Sequence, residues 1–207
     1  MKKLNCSFVS LGVAALAMPT AMGVGILVDP GFEDPLINNG QGVGKWGPFN
    51  GGGPSFTNIS TTNARSGSSH LNIGTGGAAN NFAGVFQDLT VTPGEELTFS
   101  GFHAAFNNSP SGIEIRFEWR DSGTNTEIGR TANFIPSPGS AYEPFSLTNT
   151  VPVGANTVRV VYAVQSFSGS VNTNVHVDDV SMTSIPEPSS ALLAGAGLLG
   201  LLARRRR

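Results

Sequence analysis

The chain has 207 residues with 12 basic and 14 acidic side chains, a formal charge of −2, and charged residues make up 13% of it against a usual ~25%. Gly, Ser, Thr and Asn fill the difference, a composition common in secreted β-proteins. The one cysteine, Cys6, lies in the first ten residues, so a domain that begins beyond it has neither a disulfide nor a thiolate metal site, and His70, His103 and His176 lack zinc-ligand spacing.

Residues 1–23 read as a signal peptide. Lys2 and Lys3 form a positive n-region, Phe8 to Ala17 an apolar h-region, and Ala21-Met22-Gly23 a small-residue cleavage point, which places the mature start near Val24. A retained N-terminal anchor is the competing reading; the short apolar core and Pro19 directly behind it count against that. Residues 24–184 form the middle of the chain and residues 185–207 its tail. With both ends set aside, about 160 residues remain, enough for one domain with a sizeable core. The middle holds 6 of the 12 basic residues and 13 of the 14 acids. Its charge near −7 argues against nucleic acid or anionic lipid as its ligand.

Along the middle, period-two alternation recurs and no long helical period appears. The Gly-rich stretch Asn38 to Pro54 reads as a long surface loop. Gly84 to Val91 and Glu96 to Phe102 are strand candidates, separated by the turn Thr92-Pro93-Gly94-Glu95. In Ile113-Glu114-Ile115-Arg116-Phe117-Glu118-Trp119-Arg120 every odd position is apolar and every even one charged. That is a half-buried antiparallel strand with Ile113, Ile115, Phe117 and Trp119 inward. Thr157 to Gln165 repeats the pattern with Val158, Val160, Tyr162 and Val164 on one face, and Val175 to Met182 is a further candidate. Turn clusters at 121–124, 136–139 and 153–156 punctuate them. The expected fold is therefore all-β, a single antiparallel β-sandwich of jelly-roll type.

The tail consists of Pro186-Glu187-Pro188, an uncharged run from Ala191 to Ala203, and Arg204, Arg205, Arg206 and Arg207. About 13 residues make a helix of roughly 20 Å, short of the ~30 Å hydrocarbon core unless Ser189, Ser190 and the arginine stems are recruited. Basic clusters resist translocation, so the arginines stay on the cytoplasmic side of such a transmembrane-type anchor. The order of these three elements resembles the PEP-CTERM sorting signal of Gram-negative bacteria. The resemblance implies export across the inner membrane, transient anchoring, processing by an exosortase, and delivery to the cell envelope, surface or matrix. It also implies an association with exopolysaccharide and biofilm.

Four landmarks frame the middle: Asp29-Pro30-Gly31-Phe32-Glu33 at its start with Trp46 after the Gly-rich loop, Ala64 to Leu71, Val91 to Ser100, and Val177-Asp178-Asp179-Val180-Ser181-Met182 at its close. Their order is similar to the galactose-binding-like jelly rolls, especially carbohydrate-binding modules of the family four and nine type. That resemblance implies a structural calcium tying the first strand to the last through Glu33 and Asp178, with Asp179 as a substitute and backbone oxygens near Gly31 and Ser68 completing the sphere. The alternative is that Glu33 and Asp178 accept backbone N–H bonds at strand ends.

Sugar recognition needs aromatic faces and planar polar groups. Arg116 and Glu118 line the polar face of one strand, Arg159 and Gln165 that of another, and Tyr142, like Phe106, falls in or beside a loop. Arg116, Glu118, Tyr142 and Gln165 are the candidate ligand-binding residues. Trp46 and Trp119 are expected to be structural. No Gly-x-Ser-x-Gly, phosphate loop or His-Glu-x-x-His is present, so the domain is expected to be non-catalytic. A purely structural or adhesive matrix protein without a glycan site is the rival reading, and a carbohydrate-active enzyme the more remote one.

Overall fold

A computed structural model of the chain describes residues 27–37, 45–51, 53–76, 79–106, 112–166 and 173–185. The signal peptide expected at residues 1–23 and the tail from Pro186 onward, including its arginines, lie outside the described residues. Among the described residues ten strands occur in order: β1 (Gly47–Gly51), β2 (Phe56–Ser60), β3 (His70–Thr75), β4 (Asn81–Thr90), β5 (Glu96–Ala104), β6 (Ile113–Asp121), β7 (Thr126–Arg130), β8 (Glu143–Thr150), β9 (Thr157–Ser166) and β10 (Thr173–Ile185). They form two five-stranded antiparallel sheets. Sheet A has the order β1-β4-β9-β6-β7 and sheet B the order β2-β3-β10-β5-β8. The fold is the expected all-β sandwich, and among the described residues there is no helix.

The alternation seen in the sequence sets the layers. Antiparallel pairing puts Ile113 opposite Val164, Ile115 opposite Tyr162, Phe117 opposite Val160 and Trp119 opposite Val158, and all eight side chains are buried. Sheet B answers with Leu71, Ile73, Leu97, Phe99, Val175, Val177 and Met182, each essentially without solvent exposure. Each such side chain contributes about 1.5–3 kcal/mol by leaving water. Both tryptophans are structural as expected. Trp46 packs its ring 5.1 Å from that of Phe32, and its indole N–H donates to the Asp29 carbonyl at 2.9 Å.

One expectation is corrected here. The stretch Asn38 to Pro54 is not loop throughout, because β1 pairs along β4 from Gly47 opposite Phe86 to Gly51 opposite Phe82. Its glycines hid the strand: only Phe49 gives it a side chain that packs, against Phe86 and Phe82.

A buried glutamine ties the start of the domain to sheet A. The Gln87 side chain is fully buried; its Oε1 accepts from the Val28 N–H at 2.8 Å, and its Nε2 donates to the Val28 carbonyl at 2.9 Å. Replacing it by Leu orphans both backbone groups. Gln87→Leu is expected to cost about 2 kcal/mol, a fall in Tm of roughly 4–8 °C; an unchanged melting curve would show the clamp to be idle.

His103 is a second buried polar group, its Nδ1 2.7 Å from the Tyr162 hydroxyl. Burial pushes its pKa down to about 4, only partly opposed by the charge of Glu143. Between that value and the ordinary ~6.5 the unfolded chain binds the extra proton, so stability rises with pH across this window. The contribution is complete above about pH 6.5 and lost as the pH falls toward 4. Denaturant titrations should show this slope, and His103→Gln should remove the share that His103 supplies, leaving that of His70 and His176, whose pKa values burial also lowers.

Candidate functional site

The rows that point away from the core build a site on the outer face of sheet A. With Ile113, Ile115, Phe117 and Trp119 turned in, Glu114, Arg116, Glu118 and Arg120 must turn out. The ladders set beside them Ala163, Val161, Arg159 and Thr157 of β9 respectively. On the other flank of β9, Gln165 lies opposite Phe82, Val161 opposite Phe86 and Arg159 opposite Asp88. Phe49 of β1 closes the row opposite Gly84. Gly84 is required there: a Cβ would come within 2.6 Å of the Phe49 ring and of the Tyr162 carbonyl oxygen.

The result is a two-lobed hollow. One lobe, of about 220 Å³, is lined by Phe49, Phe86, Arg116, Glu118, Arg159 and Val161. The other, of about 160 Å³, is lined by Phe49, Phe82, Glu114, Arg116, Ala163, Val164 and Gln165. Phe49 and Arg116 border both. The Phe49 ring lies 6.3 Å from that of Phe82 and 6.2 Å from that of Phe86, and Phe82 is 40% exposed.

The charges on this face cancel locally. Arg159 holds Asp88 through two bonds of 2.7 Å, with its guanidinium 4.0 Å above the Phe86 ring. Arg116 sits between Glu118, at 2.9 Å, and Glu114, at 3.2 Å. Glu118 also meets Arg120 at 3.6 Å and Arg130 at 3.9 Å. Arg130 grips Glu127 through two bonds of 2.6 Å, which hold the Glu127 carboxyl below the usual carboxylate range. The long side chains are thereby fixed in place, offering planar donors and acceptors beside the exposed Phe82 ring and the half-buried Phe49 ring, while Phe86 is buried beneath the Arg159 guanidinium. Such a surface can stack the C–H face of a sugar ring and exchange hydrogen bonds with its hydroxyls.

Of the ligand-binding residues expected from sequence, Arg116, Glu118 and Gln165 come together here, joined by Arg159. Tyr142 does not. It precedes β8 of the other sheet, where its hydroxyl donates to the Asn63 carbonyl at 3.1 Å and its ring meets Phe106 edge-on at 5.5 Å. Burial and the nearby Asp178 and Asp179 carboxylates push its pKa up. The aromatic wall of Phe49, Phe82 and Phe86 was not foreseen. The signal was present in β4, where Phe82, Gly84 and Phe86 alternate with Ala83, Val85 and Gln87, but both rows carry apolar side chains, so the alternation does not say which row faces out.

The residues proposed for calcium are used differently. Glu33 Oε1 accepts from the Ser68 N–H at 2.9 Å and the Ser69 N–H at 3.3 Å. Asp178 Oδ2 accepts from the Arg65 and Ser66 N–H groups at 2.8 and 3.2 Å, and its Oδ1 from the Asp179 N–H at 2.7 Å. Asp179 takes the Arg65 guanidinium and the Ser66 hydroxyl, the latter at 2.5 Å. Burial pushes the Asp178 carboxyl up, against the pull of these backbone bonds. Gly67, at φ +58°, has no room for a Cβ beside the Glu33 carboxylate. Ser68 thus presents its N–H to Glu33, and Glu33 and Asp178 grip the two halves of one loop. Calcium asks for six to eight oxygens, and N–H groups converging on the carboxylates have the opposite polarity. Among the described residues no three His, Cys, Asp or Glu side chains gather to hold a metal ion, and as arranged Glu33 and Asp178 make the backbone N–H contacts of the alternative reading.

Glu33→Ala should therefore lower Tm by a few degrees, about 1–2 kcal/mol, and equally in calcium and in chelator. A loss confined to calcium buffer would restore the metal site.

The comparisons agree with both halves of the chain. Residues 184–207 match the PEP-CTERM protein-sorting motif. No curated protein matches the chain. Among solved structures, the CBM22-1 xylan-binding domain of Paenibacillus barcinonensis Xyn10C superposes with a TM-score of 0.56 at 15% identity, covering 80% of this chain and 97% of that domain. A family 4 carbohydrate-binding module gives 0.52 at 17% identity, covering 75% and 97%. The enzymatically active domain of a bacteriophage CBA120 tailspike gives 0.55 at 14% identity, with 68% of this chain matched, but the match spans only 19% of that protein. These likenesses establish the jelly-roll fold; the sorting motif establishes the tail.

Proposed function

We propose that the chain is an exported, non-catalytic carbohydrate-binding protein that holds a neutral polysaccharide on the outer face of sheet A. The observation that carries this reading is the joint presence, on one face, of three phenylalanine rings and a fully paired set of arginines and carboxylates. An uncharged polymer suits that pairing, because four guanidinium groups and four carboxylates already neutralise one another and leave no net charge to recruit an ionic ligand. The xylan-binding domain of similar fold supports the ligand class.

The sorting motif supports export by an exosortase-dependent route, with the domain delivered to the envelope, cell surface or extracellular matrix. Exopolysaccharide of the biofilm matrix is the partner this reading implies. Glycoside hydrolysis is disfavoured. Glu114 and Glu118 share the Arg116 guanidinium, an arrangement that holds charge rather than delivering a proton to a leaving group. The structural or adhesive reading has one observation in its favour: every arginine on the face is engaged by a carboxylate, so hydroxyls must share donors already in use.

Isothermal titration of the chain without its two ends, residues 24–184, against xylan and other neutral polysaccharides tests the reading. Binding is expected, with Phe49→Ala and Phe82→Ala each weakening it about ten-fold, some 1.4 kcal/mol, and Tyr142→Phe leaving it unchanged. Silence toward every neutral polysaccharide would favour the structural or adhesive role.

A further inference from the structure

The last strand delivers the tail at a defined end of the sandwich. Ile185 closes β10 opposite Glu96, and Glu96 lies opposite Thr150 at the end of β8. Three turns are stitched together at this end. The Gly94 N–H donates to the Val151 carbonyl at 2.9 Å, the Val91 N–H to the Asn156 carbonyl at 3.1 Å, and the Asn156 N–H to the Arg120 carbonyl at 3.2 Å. The Ser122 N–H donates to the Asn156 side chain at 2.7 Å.

Apolar side chains stand in water there. Val153 is 94% exposed at the tip of its turn, Ile185 is 48% exposed and Ile128 46% exposed. Ile128 lies near Gly154, where an added Cβ would come within 3.7 Å of its Cδ1. No contact inside the sandwich uses the Val153 side chain to any extent, so its exposure costs hydration free energy that burial elsewhere would recover.

Only residues 186–190 separate Ile185 from the uncharged run that begins at Ala191. Five residues reach about 18 Å at most. We infer that, while the tail is in the membrane, the domain stands on the lipid surface on this turn end, with Val153, Ile128 and Ile185 against the headgroup layer. This rests on the anchoring role of the tail and adds to it an orientation. Glu95, Glu96 and Asp121 also lie at this end, so the contact is with a zwitterionic surface and draws nothing from anionic lipid. Because the strands of sheet A run from this end to the other, the hollow on its outer face opens sideways and stays clear of the membrane.

The test uses residues 24–207, the exported chain with its tail, which hold no cysteine, in phosphatidylcholine vesicles that carry a headgroup-attached quencher. An environment-sensitive fluorophore is placed on Val153→Cys or, at the opposite end between β3 and β4, on Ala79→Cys. The expected result is co-flotation with the vesicles, at least two-fold quenching at position 153 and none at position 79. Co-flotation with equal quenching at both positions, or with none at 153, overturns the orientation while leaving the anchor intact. Failure to co-float removes the anchor itself, and the orientation with it.

Discussion

The position of β9 between β4 and β6 is the constraint on which the rest of the domain depends. Its register with both neighbours sends Val158, Val160, Tyr162 and Val164 into the core and Arg159, Val161, Ala163 and Gln165 outward. Side chains alternate strictly along a strand, so a slip of one residue would bury Arg159 and Gln165 and turn four core residues into water. β4 and β6 likewise carry core residues on one face and residues of the hollow on the other, but β9 is the strand that pairs with both. The core thus enforces the site: the hydrophobic free energy that seats Tyr162 and Val164 also holds Arg159 and Gln165 where the hollow needs them.

On that face the ionic groups behave more like scaffold than like field. Glu118 is buried and serves three arginines of β6 and β7, and Arg159 and Asp88 lock β9 to β4 across the sheet. Partly buried pairs of this kind lose solvation when they form, and good geometry recovers it. What they provide is rigidity, since a guanidinium held on two sides cannot swing to follow a ligand. A pre-ordered face loses less conformational entropy on binding than a loop of free side chains would. The phenylalanines add apolar area without adding charge.

The far side of the molecule uses carboxylates for a different purpose. Glu33, Asp178 and Asp179 come from the two ends of the domain, yet all three hold the loop between Asn63 and Ser69. Asp179 adopts a left-handed backbone, φ +48°, within the irregularity between Asp178 and Ser181 that shifts β10 against β5. That shift aims two successive carboxylates at one loop, which regular alternation forbids. The first and last landmarks are tied together, and in this structure the tie is made of N–H bonds.

Much of this was legible in the chain alone. Strict alternation in β6 and β9 marked the inward rows because charged and apolar residues cannot exchange places without burying charge, and the same pattern named Arg116, Glu118 and Gln165. The tail was readable because export signals act through composition and order. Tertiary structure alone decided the aromatic wall, since Phe82 and Phe86 alternate with residues equally apolar and only the opposing sheet says which row it covers. It alone showed β1, whose glycines carry no pattern, and placed Tyr142 on the wrong sheet for the hollow. It also settled the present partners of Glu33 and Asp178: a carboxylate at a given position is compatible with a cation or with N–H groups, and only the path of the chain around it determines which it meets.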